Sequence, residues 1–271
     1  MSRRPNPALS ELSVTEFLTL SRAGYLPHGL CVGSCIFEAG NQYDWVVATQ
    51  EVTALSHALR SARHLAIQRM AQQAMQLHAE GVVEVRVQVE HDVWRGNRQV
   101  AKFIAMGTAI GFDEQQARPE HRGAMSLRLS NGQPFTSDLT APDFVTLLRA
   151  GYRPVSVAMG ACVYGLDPRH LRAYRQQDAE VAEYTQAFFD ARETAMDRLQ
   201  QDLFREFPPG TPDNPAGIVG VTVSESVYGG GQSAPIVEFN AIGTAVAELG
   251  PNDPRRGPAH ARPQMVVPLD R

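Results

Sequence analysis

The chain has 271 residues, 43% of them apolar, and a formal net charge of −4. That supplies a substantial core in one large domain or two small ones, and no run of 18 or more apolar residues is present to span a membrane. The mild acidity excludes a general nucleic-acid binder, which needs a basic surface, and residues 1–13 carry two arginines with no apolar run behind them, so no secretory signal is read and the expected location is the cytoplasm.

The first predicted element is a strand over residues 30–37, whose β-branched and small residues suit a pleated, half-buried surface. Pro27 stands just ahead of it, where a missing N–H does least harm. A long helix follows. Leu55, Leu59, Ala62, Ala66, Met70, Ala74 and Leu77 recur at steps of three and four, one apolar stripe on about seven turns, ending by Gly81. Val83, Val85, Val87 and Val89 then alternate with polar residues as far as His91. Arg95-Gly96-Asn97 supplies a turn, and residues 100–110 return, completing a hairpin. Residues 113–137 contain Pro119, Gly123, Asn131-Gly132 and Pro134 and read as a linker, with a short strand predicted over 124–129.

The chain then repeats itself. Residues 144–164 match 17–37 at ten of 21 positions without a gap, sharing RAGY-x-P and an apolar run ending in G-x-C. Residues 191–198 answer 62–69, 217–223 answer 81–87, and 239–246 answer 103–110, all in the same order. The second copy therefore predicts a strand over 155–164 behind Pro154 and a helix striped by Val181, Tyr184, Phe188, Ala191, Ala195, Leu199 and Leu203. That helix ends at Pro208-Pro209, and the hairpin turns at Gly229-Gly230-Gly231. The organisation expected is a first domain over 14–112, a linker over 113–137, a second domain over 138–249 and a flexible tail over 250–271. The fold class is α+β: tandem β-α-β-β domains, each a three-stranded antiparallel sheet with one long helix. Such a unit has open edges and a small core, so self-association is expected on physical grounds.

Ala62-Arg63, residues 81–85 and residues 107–110, with Ala191-Arg192, 217–221 and 243–246 in the second copy, resemble the YbjQ-like family. Its members carry a heavy-metal-binding label. The resemblance implies a dodecin-like subunit fold, assembly into rings and no catalytic residues that can be carried over. Duplication and an insertion over 166–178 depart from the simple pattern, so that a ring would hold half as many chains, or two rings would stack.

Three candidate chemistries follow. Cys31, Cys35 and Cys162 form no CxxC pair, and an odd count argues against a disulfide framework. Cys31 and Cys35 lie on one strand face about 13 Å apart at ~3.3 Å per residue, too far to chelate one ion. Cys35 and Cys162 occupy equivalent positions, where a buried thiol acts as a small hydrophobe. Where copies meet around an axis, Cys35, Cys162, Cys31 and His28 could converge on a soft ion, zinc or copper. His57 and His64, about 10 Å apart on the helix at ~1.5 Å per residue, do not chelate, and His78, His91 and His170 read as scattered surface residues. Enzyme motifs such as GxSxG, the P-loop and strand-borne GxGxxG are missing, and the glycine run at 229–231 is turn chemistry. Trp45 and Trp94 occur in the first copy alone and could stack on a ligand or a neighbouring chain. The first copy has eight basic and eight acidic residues and the second eight basic and fifteen acidic. Much of the excess lies on the second helix, either as a solvated face or as a surface for a basic protein partner. The leading reading is a non-enzymatic oligomeric binding or scaffold protein. The alternatives are a heavy-metal binder using cysteines between domains or subunits, and a small-ligand carrier.

Overall fold

The RAGY block that opens each copy does two jobs in the computed structural model: it ends a short helix and starts a long strand. The structure describes residues 8–39, 48–94, 98–115, 117, 119, 122–167, 169, 180–228 and 235–257. Helix α1 (Val14–Arg22) begins at Ser13, whose hydroxyl accepts from the Glu16 N–H while the Glu16 carboxylate accepts from the Ser13 N–H. Its counterpart α3 (Ala141–Arg149) begins at Thr140, which accepts from the Asp143 N–H. After each helix a glycine in the left-handed region, Gly24 or Gly151, turns the chain into a strand.

Those strands are β1 (Tyr25–Ala39) and β6 (Tyr152–Gly165), both longer than the sequence pattern indicates. Pro27 and Pro154 lie inside them, not ahead of them. Each coincides with a register shift, between Pro27 and Gly29 and between Pro154 and Ser156, so a bulge absorbs the missing N–H. The long helices are α2 (Thr53–Gln76) and α4 (Ala182–Glu206). The hairpins are β3 (Gly81–Trp94) with β4 (Arg98–Phe112) and β7 (Gly217–Tyr228) with β8 (Ile236–Glu248). The hairpin tips at 95–97 and 229–231 lie outside the described residues. Two β-α-β-β units are thus present, each preceded by a short helix that the sequence pattern does not reveal.

Each sheet has four strands, not three. β2 (Gln50–Glu51), which belongs to the first unit, adds to the edge of β6, giving the order β2-β6-β8-β7. β5 (Phe135–Thr136), from the segment between the units, pairs in parallel with β3, giving β1-β4-β3-β5. The strand expected over 124–129 is absent. That stretch is irregular, and its apolar residues Leu127 and Leu129 are buried as isolated anchors. They join one core with Tyr25 and Val83 of the first unit and Phe144, Val155 and Leu199 of the second. Of the tail, residues 250–257 are described, and Arg255 within them is buried.

The shared G-x-C motif has a packing cause. A Cβ at Gly33 would stand 2.0 Å from the Ala66 carbonyl oxygen, and one at Gly160 would stand 1.9 Å from that of Ala195. Glycine lets each long helix lie directly on its strand. Helix α2 buries one broad face. Leu55, Leu59, Ala62, Ala66, Met70 and Ala74 of the stripe are buried, as predicted, and Ser56 and Arg63 widen it. The stripe lies in one cluster with Cys31 and Phe103 of the first sheet and with Val157, Met159 and Val163 of β6. Both sheets therefore touch α2, while α4 packs on the second sheet alone.

Candidate functional site

The thiols sit on the helix-facing side of their sheets. Cys35 is opposite Phe103 and Cys162 opposite Phe239, so the two positions are structurally equivalent. All three cysteines are buried and free. Cys31 and Cys35 pack in one cluster with α2, Cys162 in another with Ala187, Ala191 and Ala195 of α4, so one chain does not bring Cys35 and Cys162 together. Burial pushes the Cys31 thiol up to about 11 and, with the Glu51 carboxylate adding to it, the Cys162 thiol up to about 12. Metal ligation needs the thiolate, which these surroundings disfavour. His28 Nδ1 lies 3.0 Å from the Leu77 carbonyl oxygen, which can only accept, so this ring donates to the end of α2. His57 lines an open groove with Cys35, and His78 holds a left-handed backbone that ends α2. Among the described residues no group of three His, Cys, Asp or Glu is placed to hold an ion. Trp45 and His170 lie outside the described residues, as do the side chains of His91 and Trp94.

The strongest polar feature lies between the units. Arg63 of α2 pairs with Glu238 of β8, both buried, and its guanidinium stands 5.1 Å from the Phe103 ring centre. Asn240 donates to the same Glu238 carboxylate at 3.0 Å. Beside it, Arg198 of α4 contacts Glu51 of β2 at 2.7 Å, and the Val163 N–H donates to the Ser56 hydroxyl at 2.9 Å. A helix and a strand of one unit are thus sewn to the sheet of the other. Sequence reading places Arg63 in a family motif and gives no role to Glu238, whose partner is 175 positions away.

A second buried carboxyl is Glu84. It holds a left-handed backbone at the bulge of β3, where the second unit has Gly220 in the same conformation. Its carboxyl accepts from the Ala141 N–H at 3.2 Å, capping α3. Burial, with Glu16 close by, raises its titration above the ordinary carboxylate value.

Two further faces are open and largely apolar. On α4, a groove is lined by Tyr184, Thr185, Phe188, Phe189 and Arg192. On the first sheet, Val32 and Ile36 of β1 point away from α2 and are exposed. No helix among the described residues is long and apolar enough to cross a membrane.

Comparison with known proteins bears on the first unit and on the whole chain. A family model described as "Putative heavy-metal-binding", YbjQ, matches residues 45–113, which span β2, α2, β3 and β4. Over its length the chain is similar to an encapsulin nanocompartment protein of Mycobacterium tuberculosis, 35% identical over 264 residues, covering 96% of this chain and 91% of that protein. The chain belongs to the YbjQ-like family. Its likeness to the mycobacterial relative runs through both units, so the pairing of a YbjQ-like unit with a second β-α-β-β unit lies within the shared length. The family's metal label finds no ligand cluster among the described residues of this YbjQ-like protein.

Proposed function

We propose that this YbjQ-like chain is a non-catalytic structural protein that self-associates and acts as a component of a protein nanocompartment. The observation that carries this is the near full-length similarity to a nanocompartment protein. The geometry agrees with it. The perturbed titratable groups Tyr25, Glu84, Cys162 and Arg255 are all engaged in packing or in contacts within the fold. Two of the open features, on α4 and on β1, expose apolar side chains, which mark contacts between proteins more often than substrate clefts. The acidic second unit offers a further surface for a basic protein partner.

Native mass spectrometry of untagged protein, purified without chelator, tests self-association and bound metal together. Multiples of 29.7 kDa without added metal mass are expected. A monomer at micromolar concentration overturns the reading, and stoichiometric metal would favour thiols meeting between chains. Gradient sedimentation of a host lysate tests the compartment: the chain is expected in the fast-sedimenting fraction, and recovery only with small soluble proteins overturns that part.

A further inference from the structure

The contact that joins the two units leaves one copy of each of its faces unused, one on each unit. Within the chain, Leu55, Leu59 and Arg63 of α2 lie against Met159 and Val163 of β6 and Glu238 of β8, and Met159 and Val163 are 8% and 0% exposed. The positions of α4 that match Leu55, Leu59 and Arg63 are Tyr184, Phe188 and Arg192, which line the open groove. The positions of β1 that match Met159 and Val163 are Val32 and Ile36, which are 44% and 55% exposed. The hairpins repeat the asymmetry. Val85 of β3 is 3% exposed, while Val221, its counterpart on β7, is 38% exposed.

We propose that copies of this chain join head to tail, the outward face of α4 of one copy covering the outward face of the first sheet of the next. This rests on the self-association reading above and names its interface. The occupant follows from continuity: a helix face of this kind already seats on a sheet face of this kind inside the chain. Both unused faces are exposed within the chain, so each meets its complement on another copy. One ion pair does not carry over. Lys102 stands where Glu238 would, and it is already met by Glu90 of its own sheet at 3.1 Å. The contact between chains is therefore mainly apolar and weaker than the one within. Its two sides differ, so the contact is heterologous. It closes into a ring with an even number of units or runs on as a filament.

The test uses the full chain carrying Ile36→Asp or Phe189→Asp, each at a residue 55% exposed, so folding is retained and checked by a cooperative melt. Ile36→Ser and Phe189→Ser replace either one that fails the melt. In sedimentation velocity each variant alone is expected to associate at least about 30-fold more weakly than wild type, the effect of losing a central apolar anchor. Mixed in equal amounts, the two are expected to form a 1:1 dimer and stop there, because each keeps the face the other lacks. Variants that assemble like wild type overturn the interface and leave self-association standing. A mixture that stays monomeric also overturns the interface. A monomeric wild type overturns self-association itself.

Discussion

Arg63 and Glu238 form a buried ion pair across the two units, with Asn240 donating to the same carboxylate. Removing one partner leaves the other charged and buried without its counter-ion. Arg63→Met alone and Glu238→Leu alone are each expected to cost about 3–5 kcal/mol of unfolding free energy. The double variant Arg63→Met with Glu238→Leu is expected to lose much less, because no buried charge is then stranded. Denaturant unfolding of the two singles and the double closes the cycle, and additive losses would contradict the pairing.

Gly33 and Gly160 carry the approach of each long helix to its strand. Backbone atoms of α2 lie 2.0 and 2.5 Å from where a Gly33 Cβ would stand, and those of α4 lie 1.9 and 2.7 Å from that of Gly160. Backbone cannot swing aside as a side chain can. Gly33→Ala and Gly160→Ala are each expected to lower stability by about 1–3 kcal/mol. Gly217→Ala, with nothing within 4 Å of its Cβ position, is the control and is expected to stay within about 0.5 kcal/mol. Thermal unfolding of the three measures this directly.

The repeat, the long helices and the hairpins are legible because each rests on a local period. Leu55, Leu59, Ala62 and Ala66 state a helix face before any partner is known. The full width of the buried face of α2 is not legible, since Ser56 and Arg63 read as solvated residues until a sheet from the other unit lies on them. The same limit hides β2 and β5: two residues such as Gln50-Glu51 have no period, and only the open edge of β6 makes them a strand. Helices α1 and α3 have nine residues each, too few turns for an apolar period to stand out. The Ser13 capping box was the signal that could have found α1. For the thiols, equivalence of Cys35 and Cys162 is legible, but their separation into two clusters depends on which helix covers each strand.

Glu84 makes stability depend on pH. Burial raises its folded titration above the ordinary value of 4.5, so the neutral form is the one the fold favours. A group with a raised folded value contributes its stability fully below the unfolded value, and loses that contribution as pH rises through the folded one. Melting temperature is therefore expected to fall from about pH 4.5 upward across that window. Glu84→Gln keeps an acceptor for the Ala141 N–H and cannot ionise, so it is expected to flatten this part of the profile. An unchanged slope in the variant would place the pH dependence elsewhere.

The thiols give a second readout of burial. Cys31 and Cys162, pushed up to about 11 and about 12, hold almost no thiolate near neutral pH. An aromatic disulfide reagent at pH 8 is expected to leave both unmodified until denaturant is added. Cys35 lines an open groove and is expected to react first, so Cys35→Ser should remove the reaction of the native protein. Rapid modification of all three without denaturant would mean that α2 and α4 do not cover their strands.

Arg255 anchors residues 250–257 against the first unit. Its guanidinium donates to the Tyr25 hydroxyl at 2.8 Å and to the Met125 carbonyl oxygen at 2.7 Å, and it pairs with Asp253 at 2.6 Å. Three separate stretches of chain thus meet at one buried cation. Tyr25 is itself enclosed edge-on by Phe112 and Phe144, so its hydroxyl cannot turn to water. Arg255→Ala strands that hydroxyl, the Met125 carbonyl and the Asp253 carboxylate together, and is expected to cost about 3–5 kcal/mol. Arg255→Lys keeps the charge but not the fork that reaches three partners, and is expected to recover only part of the loss. Ending the chain at residue 249 removes Asp253 together with Arg255, so it strands fewer charges and is expected to destabilise less than Arg255→Ala. That order, read by thermal melts of the three variants, separates an anchoring ion pair from a loose tail, for which all three would melt like wild type.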